Sequence, residues 1–281
     1  MVVTDVFEDI YQNFCSQELS LPSLPDIAMR VQKAARDPNC TFDSIGKVIK
    51  SDAALSAHLI RMANSPLYMS RVPVTNVRAA VHRIGVPGAR SFATTFALQN
   101  LFHSYSQGLN RLFREIWEDS CELSALTAVL ATFCAGFDPD DALLAGLLQD
   151  VGMVVLLGAL ADYGEDFPAP DKLHDGLEEW APRVGQMLLE SWEFDQRYID
   201  VVKARHDWMR DQSDKPDLAD IVTLARLHSY SGKKRSENCP LINEIPAYKK
   251  LPVGLLTEQM SLQALVDANA EVDQIRSMLR G

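Results

Sequence analysis

The stretch AGLLQDVGMVVLL (residues 145–157) is an apolar run interrupted by Gln149-Asp150. Aspartate is among the residues least often buried without a partner. Asp150 therefore either pairs with something structural or lines a site. Its neighbour bears on the choice, because a histidine there would suggest a metal and a glutamine does not. The run is helical in character and too short on either side of the polar pair to cross a membrane.

Helical periodicity continues outward in both directions. Leu24, Ile27, Ala28, Val31, Ala34 and Ala35 recur at i, i+3, i+4, i+7. Phe42, Ile45, Val48 and Ile49 make a second stripe, and Leu55, Leu59 and Ile60 a third. The third stops near Asn64-Ser65-Pro66, since the residue before a proline is pushed out of helix. Val77, Ala80, Val81 and Ile84 form a fourth, ended by Gly85, and a fifth runs from about Ala89 to Phe102. After a break at Gly108, a longer helix is expected over about Leu112–Ala135, with Gly136 as its cap. The acids of Pro139-Asp140-Asp141 suit the start of the helix that holds the opening stretch. A loop-rich segment (161–176) follows, then helices at about 177–191, 196–209 and 217–231, a Lys/Pro-rich connection (233–254) and one final amphipathic helix. Nothing alternates with period two for long enough to make a sheet. The expectation is an all-α chain, with a helical N-terminal half (1–108) packed on a helical C-terminal half (109–281).

The totals agree with this. The 281 residues exceed the usual domain size of roughly 100–150 residues, so one large domain or two subdomains fit. Apolar residues, at 47 %, supply a real core. The N-terminus, MVVTDVFEDIYQNF, is acidic and lacks the basic start of a signal peptide, so a cytoplasmic location is expected. Five scattered cysteines without a CxxC pair suggest neither a disulfide framework nor a zinc ribbon. The net charge of −11 argues against nucleic acid as a partner. Residues 26–90 nevertheless hold ten Lys/Arg against four Asp, a local +6 that leaves −17 elsewhere. Solvated helix faces account for such a run.

Phosphate loops, GxSxG elbows and HExxH motifs are absent from the sequence. The corner HRIGVPGARSF (82–92), with Gly85 in its turn, is of a kind common in any α protein and does not by itself make a DNA-binding helix-turn-helix. Of the six histidines, only His174 and His206 precede an aspartate, and neither lies in an apolar helix.

One stretch carries a resemblance. LPSLPDIAMRVQKAARDPNCTFDSIGKVIKSDAALSAHLIRMANSPLY (21–68) has a Leu-Pro-x-Leu-Pro opening, an Asp37-Pro38 step, Ile49, Asp52 and Leu55 in an I-x-x-D-x-x-L segment, and Asn64, Ser65 and Tyr68 at its end. This resembles the N-terminal signature of the HDOD family. VRAAVHRIGVPGAR (77–90) is similar to the helix and turn that follow it there. The family is related to the HD superfamily of metal-dependent phosphohydrolases, in which His and Asp side chains from separate helices gather a metal that activates water.

The resemblance implies a place for each ligand. The first His position falls at Asp119, the His-Asp pair at Gln149-Asp150, and the next His at about Ala181. The later His pair falls at Arg205-His206 and the final Asp at Arg226. These residues suit a metal poorly. Divalent metals take imidazole or carboxylate ligands at about 2.0–2.2 Å, and two arginines bring fixed positive charge. An ion-paired cluster fits better, with Asp150, and Asp119 beside it, neutralised by Arg205 or Arg226.

The resemblance therefore implies a bacterial signalling or regulatory module with a degenerate HD site, acting without a cofactor by binding a protein partner or a small ligand. The signature starts at about residue 20, so a stand-alone regulator is expected. Two alternatives remain. One is a metal-dependent phosphohydrolase acting on a nucleotide or phosphoester, holding a divalent metal on Asp119, Asp150 and His206. The other is a nucleotide sensor, cyclic dinucleotides included, in which Arg205 and Arg226 clamp a phosphate in the vacated metal cavity.

Overall fold

The computed structural model describes residues 3–68, 72–102, 107–161, 170–231, 239–252, 254, 256–258 and 261–280. Its helices are α1 (Val3–Cys15), α2 (Asp26–Arg36), α3 (Phe42–Lys50), α4 (Ala53–Ala63), α5 (Val77–Leu98), α6 (Gln107–Thr132), α7 (Pro139–Leu148), α8 (Val151–Ala161), α9 (Pro170–Ser191), α10 (Gln196–Lys203), α11 (Leu218–Ser229), α12 (Pro246–Lys250), α13 (Gln263–Asp267) and α14 (Asn269–Arg280). Among the described residues there is no strand, only one antiparallel bridge between Leu256 and Leu262. The all-α expectation holds.

Short polar side chains start several of the helices, each accepting from an amide left free in the first turn. Thr41 and Ser44 form a reciprocal capping box on α3. Asp52 caps α4 at 2.9 Å, Asn76 caps α5 at 2.9 Å and Asp138 caps α7 at 2.8 Å. Gly85 breaks α5 into two segments, with φ 82° and ψ 169°. The two stripes read on either side of it are these two segments.

The structure redraws several boundaries. Helix α1 was not foreseen; it buries Val6, Phe7, Ile10 and Phe14 and packs chiefly on α9. Helix α9 starts at Pro170 rather than near 177 and carries Pro182 inside it. Helix α10 ends at Lys203 rather than 209, because Arg205 turns inward to meet carboxylates. The single C-terminal helix is two, parted at Ala268. Gly108, read as a break, lies inside α6, which runs from Gln107 to Thr132 rather than from about Leu112 to Ala135. Part of the loop expected at 161–176 lies outside the described residues.

Helices α2–α5 pack among themselves, as do α6–α11, and the two groups meet where α5 crosses α7. Three further ties cross this junction. Trp192 Nε1 donates to the Pro22 carbonyl at 2.9 Å. Arg36 donates to the Glu193 side chain and to its carbonyl, both at 2.8 Å. The Tyr68 hydroxyl donates to Asp140. The stretch Pro139–Ala161 is apolar and long enough, by composition, to cross a membrane. Here it is α7 and α8, nearly all of it buried in the protein's own core and interrupted by a turn at Gln149-Asp150.

Candidate functional site

The glycines flanking Gln149-Asp150 set the backbone. A Cβ on Gly146 would lie 2.7 Å from the Ser124 Cα, so α7 presses directly on α6. A Cβ on Gly152 would overlap the Ala181 carbonyl oxygen and lie 2.8 Å from the Gly185 nitrogen, so α8 presses on α9. Such contacts exclude any larger residue without backbone movement. They bring the turn between α7 and α8 against α9, α10 and α11.

Asp150 is 2 % exposed and sits in that turn. Arg205 Nε donates to its Oδ1 at 2.6 Å, and Arg226 Nη2 donates to its Oδ2 at 2.7 Å. Arg226 Nε also donates to Gln149 Oε1. Arg205 reaches a second carboxylate, Glu178 on α9, with Nη2 at 3.0 Å from Oε1 and Nη1 against Oε2. His206 Nε2 lies against both Glu178 Oε2 and Arg205 Nη1. Trp208 stands edge-on to the His206 ring at 6.1 Å and to the Tyr230 ring at 6.4 Å.

The charges balance. Burial alone would raise the Asp150 carboxyl, but Arg226 and Arg205 outweigh it and hold the group below the ordinary carboxylate range. Glu178 is likewise held far down: burial pushes up, while His206 and Arg205 pull harder the other way. Both arginines gain more from these carboxylates than burial takes from them, so their protons are held more tightly than usual.

Of the residues singled out in the sequence, Gln149, Asp150, Arg205, His206 and Arg226 converge. Asp119 stands on an exposed face of α6, and the bonds that hold Asp150 come from the two arginines instead. Ala181 is buried at the α8–α9 crossing and packs rather than ligates. Glu178, three residues before it, is the member that α9 supplies and that sequence reasoning missed. Charge counting held the signal: two arginines around one Asp leave an unpaired positive charge, which a buried site does not tolerate.

The HD metal set does not fit this arrangement. Both oxygens of Asp150, both of Glu178 and the amide oxygen of Gln149 already accept from guanidinium or imidazole groups. A divalent cation here would face two fixed positive charges at contact distance. Among the described residues, no group of three His, Cys, Asp or Glu side chains lies close enough to hold a metal ion. Arg205 and Arg226 stand where the resemblance places metal ligands and hold the Asp150 carboxylate instead.

Residues 21–208 match the model of the HDOD domain family. The chain is similar to the crystal structure of a protein from Shewanella amazonensis SB2B, provisionally named a metal-dependent phosphohydrolase, at 27 % identity and a TM-score of 0.84 over 99 % of this chain and 100 % of that one. It is also similar in fold to a protein from Marinobacter aquaeolei VT8, provisionally named a signal transduction protein, at 20 % identity and a TM-score of 0.62 over 100 % of this chain and 66 % of that one. A curated relative, an uncharacterized protein from Treponema pallidum (strain Nichols), is 24 % identical over 224 residues, 74 % of this chain. The match spans 42 % of that relative's length.

Proposed function

Because the chain belongs to the HDOD family, we propose that it is a non-catalytic bacterial signal-transduction module that acts by binding. The carrying observation is the capture of both Asp150 oxygens by Arg205 and Arg226. In a working HD centre that carboxylate would bind metal, and the metal would lower the pKa of a bound water. Here its charge is taken up by arginines, and the cluster locks α7–α8 to α9, α10 and α11. The reading departs from the phosphohydrolase name of the Shewanella neighbour on this donor set. The proposed partner is a protein of a cytoplasmic signalling pathway; the net charge of −11 disfavours nucleic acid.

Metal analysis of the purified protein, followed by a phosphoester panel with added Mg²⁺, Mn²⁺ and Zn²⁺, tests the reading. We expect no stoichiometric metal and no turnover. Metal-dependent turnover that disappears in Asp150→Ala would overturn it.

One observation favours a nucleotide sensor as a second reading. Among the described residues, Arg226 Nη1 meets the Tyr230 hydroxyl alone, at 3.5 Å, so it retains donor capacity beside the Trp208 and Tyr230 rings. Calorimetry with a nucleotide panel that includes cyclic dinucleotides decides it. Binding that weakens in Arg226→Lys supports the sensor, and a silent panel removes it.

A further inference from the structure

Asp140 and Asp141 both lie buried in the first turn of α7, yet they meet different company. Asp141 accepts from Arg197 Nη1 at 2.6 Å, from the Tyr198 hydroxyl at 2.7 Å and from Ser91 Oγ at 3.5 Å. Asp140 accepts from the Tyr68 hydroxyl, at the end of the turn Pro66–Tyr68 that follows α4. Its Oδ2 lies directly over Gly88 of α5, in space that a Cβ there would occupy. The carboxyl is thus enclosed at the junction between the α2–α5 group and α7, and among the described residues no cation pairs with it.

The surrounding charges do not favour ionisation. At the start of its own helix, the carboxyls of Asp138 and Asp141 stand near it and oppose its ionisation. From α5, Arg90 acts on Tyr198, and from α10, Arg197 is committed to Asp141. On α14, which packs on the Pro66–Tyr68 turn, Arg276 pairs with Asp273 and Arg280 acts on Cys121. From α6 and α11, no described titratable side chain is bonded to Asp140. Burial carries the Asp140 carboxyl up to about 7, against the Tyr68 hydrogen bond and with the two neighbouring carboxylates adding to the rise.

We propose that this junction is a proton-operated latch: with a proton on Asp140 the carboxyl stays enclosed between Tyr68 and Gly88 and the two helix groups stay together, and release of that proton to solvent, which leaves a buried charge, loosens them. An ionised Asp140 would be buried beside two other carboxylates with, among the described residues, a hydroxyl as its one bonded partner. Opening the junction to water relieves that cost. The latch stands on geometry away from the arginine cluster and does not depend on what the protein binds.

Hydrogen exchange on the full chain reads the latch at Leu67, Tyr68 and the first turn of α7, after correction for the intrinsic pH dependence of exchange. The sign follows from the two titrations. The carboxyl titrates near its ordinary 3.8 in the open form and near 7 in the closed form, so opening is disfavoured below the first value and rises between the two. The opening constant should climb about tenfold per pH unit from about pH 5 to 7 and level off above. In Asp140→Asn the profile should be flat. In Tyr68→Phe the plateau should begin at higher pH, because the hydroxyl no longer stabilises the carboxylate. Should Asp140→Asn fail to fold, the carboxyl carbon shift of Asp140 in the unaltered chain gives the midpoint directly. A flat unaltered profile, a slope that survives in Asp140→Asn, or a midpoint below about 5 overturns the latch.

Discussion

Asp140 and Asp150 lie ten residues apart, at opposite ends of α7, and both are buried. Asp150 has two guanidinium groups and an amide beside it. Asp140 has a phenol and two other carboxylates. The first carboxyl is held ionised through its ion pairs, and the second is held protonated up to about neutral pH. A buried charge can be met by counter-charges fixed in the fold or by a proton taken from solvent. The first solution works at every pH above the acid range. The second is conditional, which makes it suited to a joint that moves.

The largest break in this comparison comes from Arg205, which serves both Asp150 and Glu178. Arg205→Ala would leave Asp150 with Arg226 alone and Glu178 with His206 alone. Removing one partner of a buried pair costs about 3–5 kcal/mol. Urea denaturation should show that loss as a lower midpoint at unchanged slope. A loss below about 1 kcal/mol would mean that the cluster is wet and soft rather than a lock.

The helix content of the chain was legible because apolar stripes recur at helical spacing and several helices start on a Thr, Asp or Asn; Gly85 breaks α5 as read, at positive φ, whereas Gly136, also at positive φ, lies beyond the end of α6 at Thr132 rather than capping it. Helix α1 is invisible to a reading of MVVTDVFEDIYQNF for targeting signals, although Val6, Phe7, Ile10 and Phe14 form a stripe. Most of the candidate cluster was legible by residue type: an Asp in an apolar run needs a cation, and two arginines stood at the positions where the family resemblance expects ligands. Glu178 was not, because motif spacing pointed at Ala181, whose real constraint is the backbone contact with Gly152. Asp140 looked like an ordinary helix-start acid, and its enclosure by Tyr68 and Gly88 exists only after the two helix groups meet.

The two carboxyls should respond to pH with opposite sign. Asp150, depressed in the fold, contributes stability that is present above about pH 4 and lost as pH falls. Asp140, raised in the fold, contributes stability that is present below about pH 4 and lost as pH rises toward about 7. At about 1.4 kcal/mol per unit, the Asp140 loss is on the order of 2–4 kcal/mol. The difference in stability between Asp140→Asn and the unaltered chain should therefore grow in favour of the variant from pH 5 to 7. A difference that does not change over that range would place Asp140 in contact with water.

A smaller effect tests the scaffold that the Asp150 end requires and that the Asp140 end matches at Gly88, another glycine under close approach. The Ala181 carbonyl that faces Gly152 is backbone and cannot swing aside. Gly152→Ala should cost about 1–3 kcal/mol as overpacking. Thermal unfolding should show a lower midpoint, because the neighbouring Trp180 is itself buried and leaves α9 little room to shift. An unchanged midpoint would mean that α8 and α9 are not in close contact.

The smallest expected effect separates the arginine lock from a metal centre. Asp119 is exposed on α6, so Asp119→Ala should shift stability by no more than about 0.5 kcal/mol. Asp150→Ala, which strands two buried arginines, should cost several times that. A metal held by Asp119, Asp150 and His206 predicts a different pattern. Adding Mg²⁺ or Mn²⁺ would then stabilise the unaltered chain by mass action, and Asp119→Ala would erase the gain. A lock made of arginines gives no gain to erase. The unfolding midpoint of both chains, with and without the metal, thus distinguishes a carboxylate neutralised from within the fold from one that waits for an ion.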